Sequence, residues 1–307
     1  MKITLSTYEF LKKFPDEKSA RTYLEHRRWN GHAICPCCGS VERIQTRKVE
    51  GYFRCLSCKS DFTVRTGTIF ERSHVALDKW LYTMYLMATS RKGISSLQLS
   101  KEIGVTQKTA GFMLQRLREA CGNDKDLGLL AGIVEADETY IGGKEANKHE
   151  SKKLKAGRGA VGKVAVLGMR ERGGNVKATV LLDTKADTIQ SELANTICAS
   201  SILCTDEHRS YLGVPYAHLV VNHSAKQFVD GMAHTNGIES VWAVLKRGFY
   251  GVYHQFSEKH LQRYVDEVTY RLNEGNCKVH TIDRIDALLR KTVGVRLTYA
   301  NLIGATA

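Results

Sequence analysis

The spacing of hydrophobic positions changes character several times along this chain of 307 residues. Residues 1–30 read as small amphipathic helices. The stretch Asp16-Glu17-Lys18-Ser19-Ala20-Arg21-Thr22-Tyr23-Leu24-Glu25 opens with acids, which suit a helix N-terminus. Residues 31–70 carry only short β-type runs, such as Gly51-Tyr52-Phe53-Arg54 and Phe62-Thr63-Val64. Over 75–91, Val75, Leu77, Trp80, Leu81, Met84 and Tyr85 fall on one buried helix face. A helix–turn–helix follows: a first helix from Ser95 to Ile103, a turn at Gly104-Val105, and a second helix capped by Thr106 and running to about Ala120. Ala110, Met113, Leu114 and Leu117 point inward. Gln107, Lys108 and Thr109 sit at the exposed N-terminal end, where a recognition helix meets base edges.

From residue 131 the period shortens to that of strands. One run ends at Asp137, and Val164–Met169 and Val176–Leu182 follow, joined by Arg172-Gly173-Gly174-Asn175. Then come a helix over 187–199, a strand ending at Asp206, a shorter strand at His218–Val221, a helix carrying Glu239, and an amphipathic helix from Ser257 to Leu272. The order βββ-α-β…β-α is a mixed-sheet α/β arrangement. No internal repeat is evident. The boundaries expected are 1–30, 31–70, 71–125, 130–275 and a C-terminal tail at 276–307.

Charge narrows the partners. Lys and Arg number 45 against 32 Asp and Glu, a net +13, which favours a polyanion but does not choose between nucleic acid and an anionic membrane. The apolar runs are too short to span a bilayer and no signal-peptide pattern opens the chain, so the expectation is a cytoplasmic protein with no membrane partner.

Five of the nine cysteines, Cys35, Cys37, Cys38, Cys55 and Cys58, fall within 24 residues. Clustering points to metal, because disulfides would be spread and a reducing cytoplasm would not keep them. Cys35-Pro36-Cys37-Cys38 and Cys55-Leu56-Ser57-Cys58 form two Cys-x2-Cys knuckles with sixteen residues between them, the spacing of one structural Zn2+ site. Cys37 lies inside the first knuckle, and only Cys35 has the two-residue gap to Cys38.

Three acids carry the candidate chemistry. Asp137 and Asp206 each end a strand-like run, and Glu239 lies near the start of a helix with Lys246 two turns further on nearly the same face. Carboxylates converging from two strands and a helix can hold two hard divalent cations, which clamp the attacking and leaving oxygens of a phosphodiester. Lys246 would bind a phosphate as a point charge. Alternatives stand beside each assignment. Glu135 shares a strand face with Asp137 and is a rival ligand, Glu138 and Glu207 are spare carboxylates, and Glu239 stands three places after Asn236, as a capping-box residue does. Residues 142–177 hold ten Lys or Arg against three acids. They read as a loop and strands that contact phosphate backbones through Lys152, Lys153, Lys155 and Arg158, or as a solvated surface. His208, His223, His234 and His260 are candidates for phosphate contact or proton relay, or ordinary hydrogen-bonded residues. Tyr211 is better explained by packing beside the Asp206 strand than as a recombinase nucleophile.

These motifs carry a resemblance. Cys35-Pro36-Cys37-Cys38-Gly39, Val134 through Lys144, Thr205-Asp206-Glu207-His208-Arg209-Ser210-Tyr211, His234 through Glu239, Lys246-Arg247-Gly248 and Lys259 through Tyr264 make the chain similar to bacterial insertion-sequence transposases of the DDE type, in the group with an N-terminal zinc ribbon. The resemblance spans roughly residues 20–275. It implies a zinc ribbon at 31–70, a helix–turn–helix at 71–125 and a ribonuclease H-like catalytic core at 130–275. It further implies Mg2+ or Mn2+ on Asp137, Asp206 and Glu239, with Lys246 alongside; Asn236 is the alternative third ligand, since some relatives carry asparagine there. The implied activity is strand cleavage and transfer at the terminal inverted repeats of an element, by a homodimer or larger synaptic complex on double-stranded DNA. The rivals are an inactive DNA-binding regulator of the same descent and a ribonuclease H-like nuclease.

Overall fold

A computed structural model describes residues 3–123, 127–143, 149–153, 161–221, 234–254 and 256–304. The chain divides into two compact units, one of residues 1–124 with 274–307 and one of 125–273.

The first unit begins with α1 (Thr7–Lys13) and α2 (Glu17–Trp29), each opened by a capping box, Ser6 with Glu9 and Asp16 with Ser19. Asn30 in the left-handed conformation ends α2. Three short antiparallel strands follow, β1 (Ile44–Thr46), β2 (Phe53–Cys55) and β3 (Asp61–Phe62). They pack on α2 through the Trp29 indole, which meets Phe53 and Phe62 edge-on at 5.4 and 5.8 Å. Next are α3 (Leu77–Thr89), whose Trp80, Leu81 and Met84 are fully buried, α4 (Ser96–Ile103) and α5 (Gln107–Cys121). Gly104 takes the left-handed φ of 63° that turns the chain between α4 and α5. Thr106 caps α5 through the Thr109 N–H, and Ala110, Met113, Leu114 and Leu117 are buried.

The segment expected as a tail is part of this unit. Ile285 and Leu288 of α9 (Thr281–Lys291) are wholly buried, and Val293 bridges to Thr68. Arg116 of α5 donates to the carbonyls of Ile69 and Leu297, tying the last residues before α10 (Tyr299–Ile303) into the core. The run Ile282, Ile285, Leu288, Leu289 has the helical period that buries one face.

The second unit is a five-stranded sheet made of β4 (Ile133–Ile141), β5 (Val164–Glu171), β6 (Val176–Val180), β7 (Ile202–Asp206) and β8 (Ala217–Val221), in the order β6-β5-β4-β7-β8. The first three strands form an antiparallel meander, and β7 and β8 add parallel to β4 and β7. This is the mixed sheet of a ribonuclease H-like core. Alternation along the strands loads both faces. Val134, Ala136, Leu167, Met169 and Leu203 pack against Ile189 and Leu193 of α6 (Ala186–Thr196). Ile141 and Val166 pack on the other face with α7 (Asn236–Gly248) and α8 (Leu261–Glu274). On α7, Ile238, Val241, Trp242 and Leu245 are buried. At about 1.5–3 kcal/mol each, they hold the helix on the sheet while Glu239 and Lys246 stay exposed. The outer edge of β6 is closed by side chains of α8: Gln262 and Asn273 both donate to and accept from its backbone.

Candidate functional site

Register brings the two aspartates level. β4 and β7 pair in parallel at Ile133↔Ile202, Val134↔Leu203 and Glu135↔Cys204, and there the ladder stops. Asp137 and Asp206 stand two residues beyond that last rung on neighbouring strands. They share a sheet face with Glu135 and Cys204, by the two-residue period. Asp206 is the last residue of β7, as expected. Asp137 does not end its strand: β4 continues to Ile141, because β5 pairs with it as far as Val164. What ends near Asp137 is the β4–β7 ladder.

Glu135, the rival ligand, is committed elsewhere. Its side chain is 1% exposed. It accepts from Arg172 Nε at 2.8 Å and from the backbone N–H of Ile238 at 3.0 Å, and His234 Nδ1 lies 3.1 Å away. It therefore fastens the end of β5 and the first turn of α7 to β4. Gly237 makes this close approach possible, since a Cβ there would sit 2.5 Å from Glu135 Oε2. Arg170 adds bonds to Gly237 O and Ser240 Oγ.

At the start of α7 the cap differs from expectation. Thr235 occupies the cap position and Asn236 is the first helical residue. The Thr235 hydroxyl donates to Glu239 Oε1 at 3.0 Å. Glu239, Trp242 and Lys246 follow at intervals of three and four along one stripe of the helix. Trp242 Nε1 donates to Asp137 Oδ2 at 2.9 Å. Gly168, directly opposite Asp137 on β5, makes room for the indole. A Cβ at Gly168 would lie 2.5 Å from Trp242 Cη2 and Cζ2.

The acids act on one another. Burial pushes the Asp137 carboxyl up to about 6, with the charges of Asp206 and Glu239 adding to it and the Trp242 N–H opposing. Burial lifts Glu138 to about 7, aided by Asp137 and Asp206. Glu138 Oε1 and the Tyr211 hydroxyl are both buried without a hydrogen bond of ordinary length. Hard oxygen donors crowded so that Asp137 and Glu138 hold their protons suit divalent cations. Among the described residues, however, the four cysteines are the one set of three or more possible ligands whose donor atoms all come within 4.8 Å of one another. Uncompensated carboxylates repel, and the three acids are not drawn that close.

The remaining candidates divide. Tyr211 is fully buried, which suits packing and not attack on a phosphodiester. The His208 backbone N–H donates to Asp206 Oδ1 at 3.0 Å while its ring caps the short turn Arg209–Tyr211. His260 contacts Arg263. Gln107 and Lys108 are exposed at the head of α5, with Lys108 Nζ 5.0 Å above the Tyr299 ring, and Thr109 is half-buried. Lys153 pairs with Glu150 at 2.8 Å. Lys155, Arg158, His223 and the Lys152 side chain lie outside the described residues.

In the ribbon, Cys35, Cys38, Cys55 and Cys58 converge and Cys37 is left out. The pairs Cys35–Cys58 and Cys38–Cys55 have sulfurs 3.6 Å apart. A tetrahedron with Zn–S of about 2.3 Å has edges of roughly 3.8 Å, so the donor set fits zinc. The two knuckles are built alike. The residue after each second cysteine, Gly39 or Lys59, takes a positive φ of 73° or 59°, and the first cysteine's N–H reaches Ser40 O or Ser60 O. Ser60 hydrogen bonds also hold the Cys58 thiol down to about 6.

Sequence reasoning missed Trp242, Gly168 and the clamp of Glu135 with Arg172. A lone glycine inside the run Val164–Met169 is the signal that was available, because it marks a close approach to a strand.

Two family models match the chain. Residues 129–273 match the model of the ISXO2-like transposase domain, and residues 15–61 that of the transposase zinc-ribbon domain. A protein of Halobacterium salinarum, described as an uncharacterized protein in transposable element ISH50, is 31% identical over 252 residues, covering 77% of this chain and 84% of its own. Among solved structures, the Mos1 strand transfer complex aligns at 13% identity with a TM-score of 0.28, over 69% of this chain and 75% of that one. A pre-cleavage Mos1 transpososome aligns at 12% identity with a TM-score of 0.20, over 71% and 80%. Scores this low establish no correspondence between residues.

Proposed function

Because this chain belongs to the IS1595 family of insertion-sequence transposases, the group with an N-terminal zinc ribbon, we propose that it binds the terminal inverted repeats of its own element and catalyses metal-dependent DNA strand cleavage and transfer. The observation that carries this reading is the level placement of Asp137 and Asp206 where the β4–β7 ladder ends, with α7, the helix of Glu239, tied to Asp137 through the Trp242 indole N–H. Asp137, Asp206 and Glu239 would hold two Mg2+ or Mn2+ ions. When bound, such a pair supplies Lewis-acid activation of an attacking oxygen, from water or a DNA 3′-hydroxyl, and stabilisation of the leaving oxygen.

The chain's own residues do the rest. Glu135, Arg172 and Arg170 fix α7 against the sheet, and that fixes where Glu239 stands. Lys246, seven residues on, reaches solvent on the same stripe and would hold a phosphate of the strand as a point charge. Gln107, Lys108 and Thr109 would read base edges at the element end, with Lys152, Lys153, Lys155 and Arg158 on phosphates. The four cysteines would hold one Zn2+ that closes the ribbon. Two ends must be joined, so the working species is a dimer or larger complex on DNA.

The test is strand transfer from a labelled element end into a target plasmid, with Mg2+ or EDTA. We expect joined product from wild type with Mg2+ alone, lost in Asp137→Ala, Asp206→Ala and Glu239→Ala while end binding persists. End binding without any Mg2+-dependent chemistry in wild type would favour the regulator. Activity surviving Glu239→Ala would move the third ligand to Asn236.

A further inference from the structure

We propose that Trp242 is a positioning residue for the metal site: its indole N–H occupies Asp137 Oδ2, so that Asp137 offers its other oxygen, Oδ1, to a divalent cation. The inference rests on the reading of Asp137 as a metal ligand and adds the residue that aims it.

The geometry is specific. An indole has one donor and no acceptor, and buried N–H groups find a partner. Trp242 is 5% exposed, and its N–H meets Asp137 Oδ2 at 2.9 Å. The ring cannot settle there by chance. It lies over Gly168, the residue paired with Asp137 across β4 and β5, and any larger residue would collide with its outer edge at 2.5 Å. Ile238 closes the same space, since a Cβ at Gly168 would lie 2.8 Å from its Cδ1. A strand glycine and a helix tryptophan are thus matched to aim one hydrogen bond at one carboxylate.

The position on α7 carries the second part of the argument. Trp242 lies three residues after Glu239 and four before Lys246. A single helix therefore presents the third acid and the lysine, and grips the first acid between them. Partners that orient a ligating carboxylate commonly matter about tenfold to a hundredfold for metal affinity or activity.

Two measurements on the full-length, zinc-loaded protein test this. Free Mn2+ is titrated by electron paramagnetic resonance against wild type, Asp137→Ala and Trp242→Phe, which keeps an aromatic ring but removes the donor. We expect binding in wild type, its loss in Asp137→Ala, and a dissociation constant raised about tenfold or more in Trp242→Phe, with zinc content unchanged. The second measurement compares wild type with Asp137→Asn, so it stands even if Trp242→Phe does not fold. The chain has three tryptophans, and Trp29 and Trp80 belong to the first unit. In 15N-indole spectra, the signal that shifts in Asp137→Asn should be the one that Mn2+ broadens. Wild-type affinity in Trp242→Phe, or an indole signal that responds to Asp137→Asn but not to Mn2+, overturns this inference alone. Absence of Mn2+ binding in wild type, or binding that survives Asp137→Ala, overturns the metal-site reading and this inference with it.

Discussion

Four thiols in the first unit and the three carboxylates proposed as ligands in the second are candidate donor sets for metal, yet the backbone assembles them by different routes. The thiols come from two tight knuckles close together in sequence, and their sulfurs already lie within 4.8 Å of one another. The acids come from β4, β7 and α7, far apart in sequence, and a parallel strand pair and a clamped helix set where each stands. The first arrangement is closed and local, which suits a structural ion. The second stays open and depends on partners such as Glu135 and Trp242 that do not themselves face the proposed cations. The difference implies that damage to the first set should cost folding, and damage to the second should cost chemistry.

The largest effect should come from the ribbon. Structural zinc in small fingers contributes about 10–16 kcal/mol of apparent binding free energy at neutral pH. Cys55 is fully buried, so Cys55→Ser or strong chelation should release zinc and unfold β1 to β3. Zinc content and near-ultraviolet circular dichroism around Trp29 would follow it, since that indole packs on Phe53 and Phe62. Native signal in the zinc-free protein would remove the contrast between the two sites.

A smaller loss should follow Glu135→Gln. The carboxylate is buried and serves Arg172, the first turn of α7 and the neighbouring His234. Removing one charge takes away the ionic partner of Arg172, which keeps its bond to the His234 carbonyl, and breaking a buried pair in this way costs up to about 3–5 kcal/mol. Urea denaturation would measure it. A loss below about 1 kcal/mol would mean that α7 is held by its apolar face alone.

Legibility in the sequence follows the same division. The knuckles, the helix–turn–helix and the helical period of α3 are local patterns, and each can be read from adjacent residues. That Asp137 and Asp206 are level is a matter of strand register, which pairing across 69 residues decides and no local signal encodes. Glu135 looked equivalent to Asp137 because both share one face of β4. Only Arg172 and the Ile238 N–H, brought in by folding, separate them. The segment 276–307 reads as a tail by its place after the last expected element, although its own apolar period announces α9.

The subtlest way to sharpen the contrast is pH. Asp137 is raised from 3.8 to about 6 by burial and by its acidic neighbours. A carboxyl raised on folding favours the folded state while protonated. Its contribution is fully present below about pH 4 and is lost as pH rises through 6. Two units correspond to roughly 3 kcal/mol. Glu138, raised from 4.5 to about 7, acts in the same direction. In protein kept free of Mg2+ and Mn2+, stability carried by this site should fall from pH 4 to pH 7. Asp137→Asn should flatten that fall and be the more stable protein at pH 7. Mg2+ should then raise the melting temperature of wild type but not of Asp137→Asn. The ribbon should respond with the opposite sign, because zinc needs thiolates and acid releases it. Melting curves against pH for the two proteins decide the matter: parallel slopes would mean that the acidic cluster is not the cation site proposed for it.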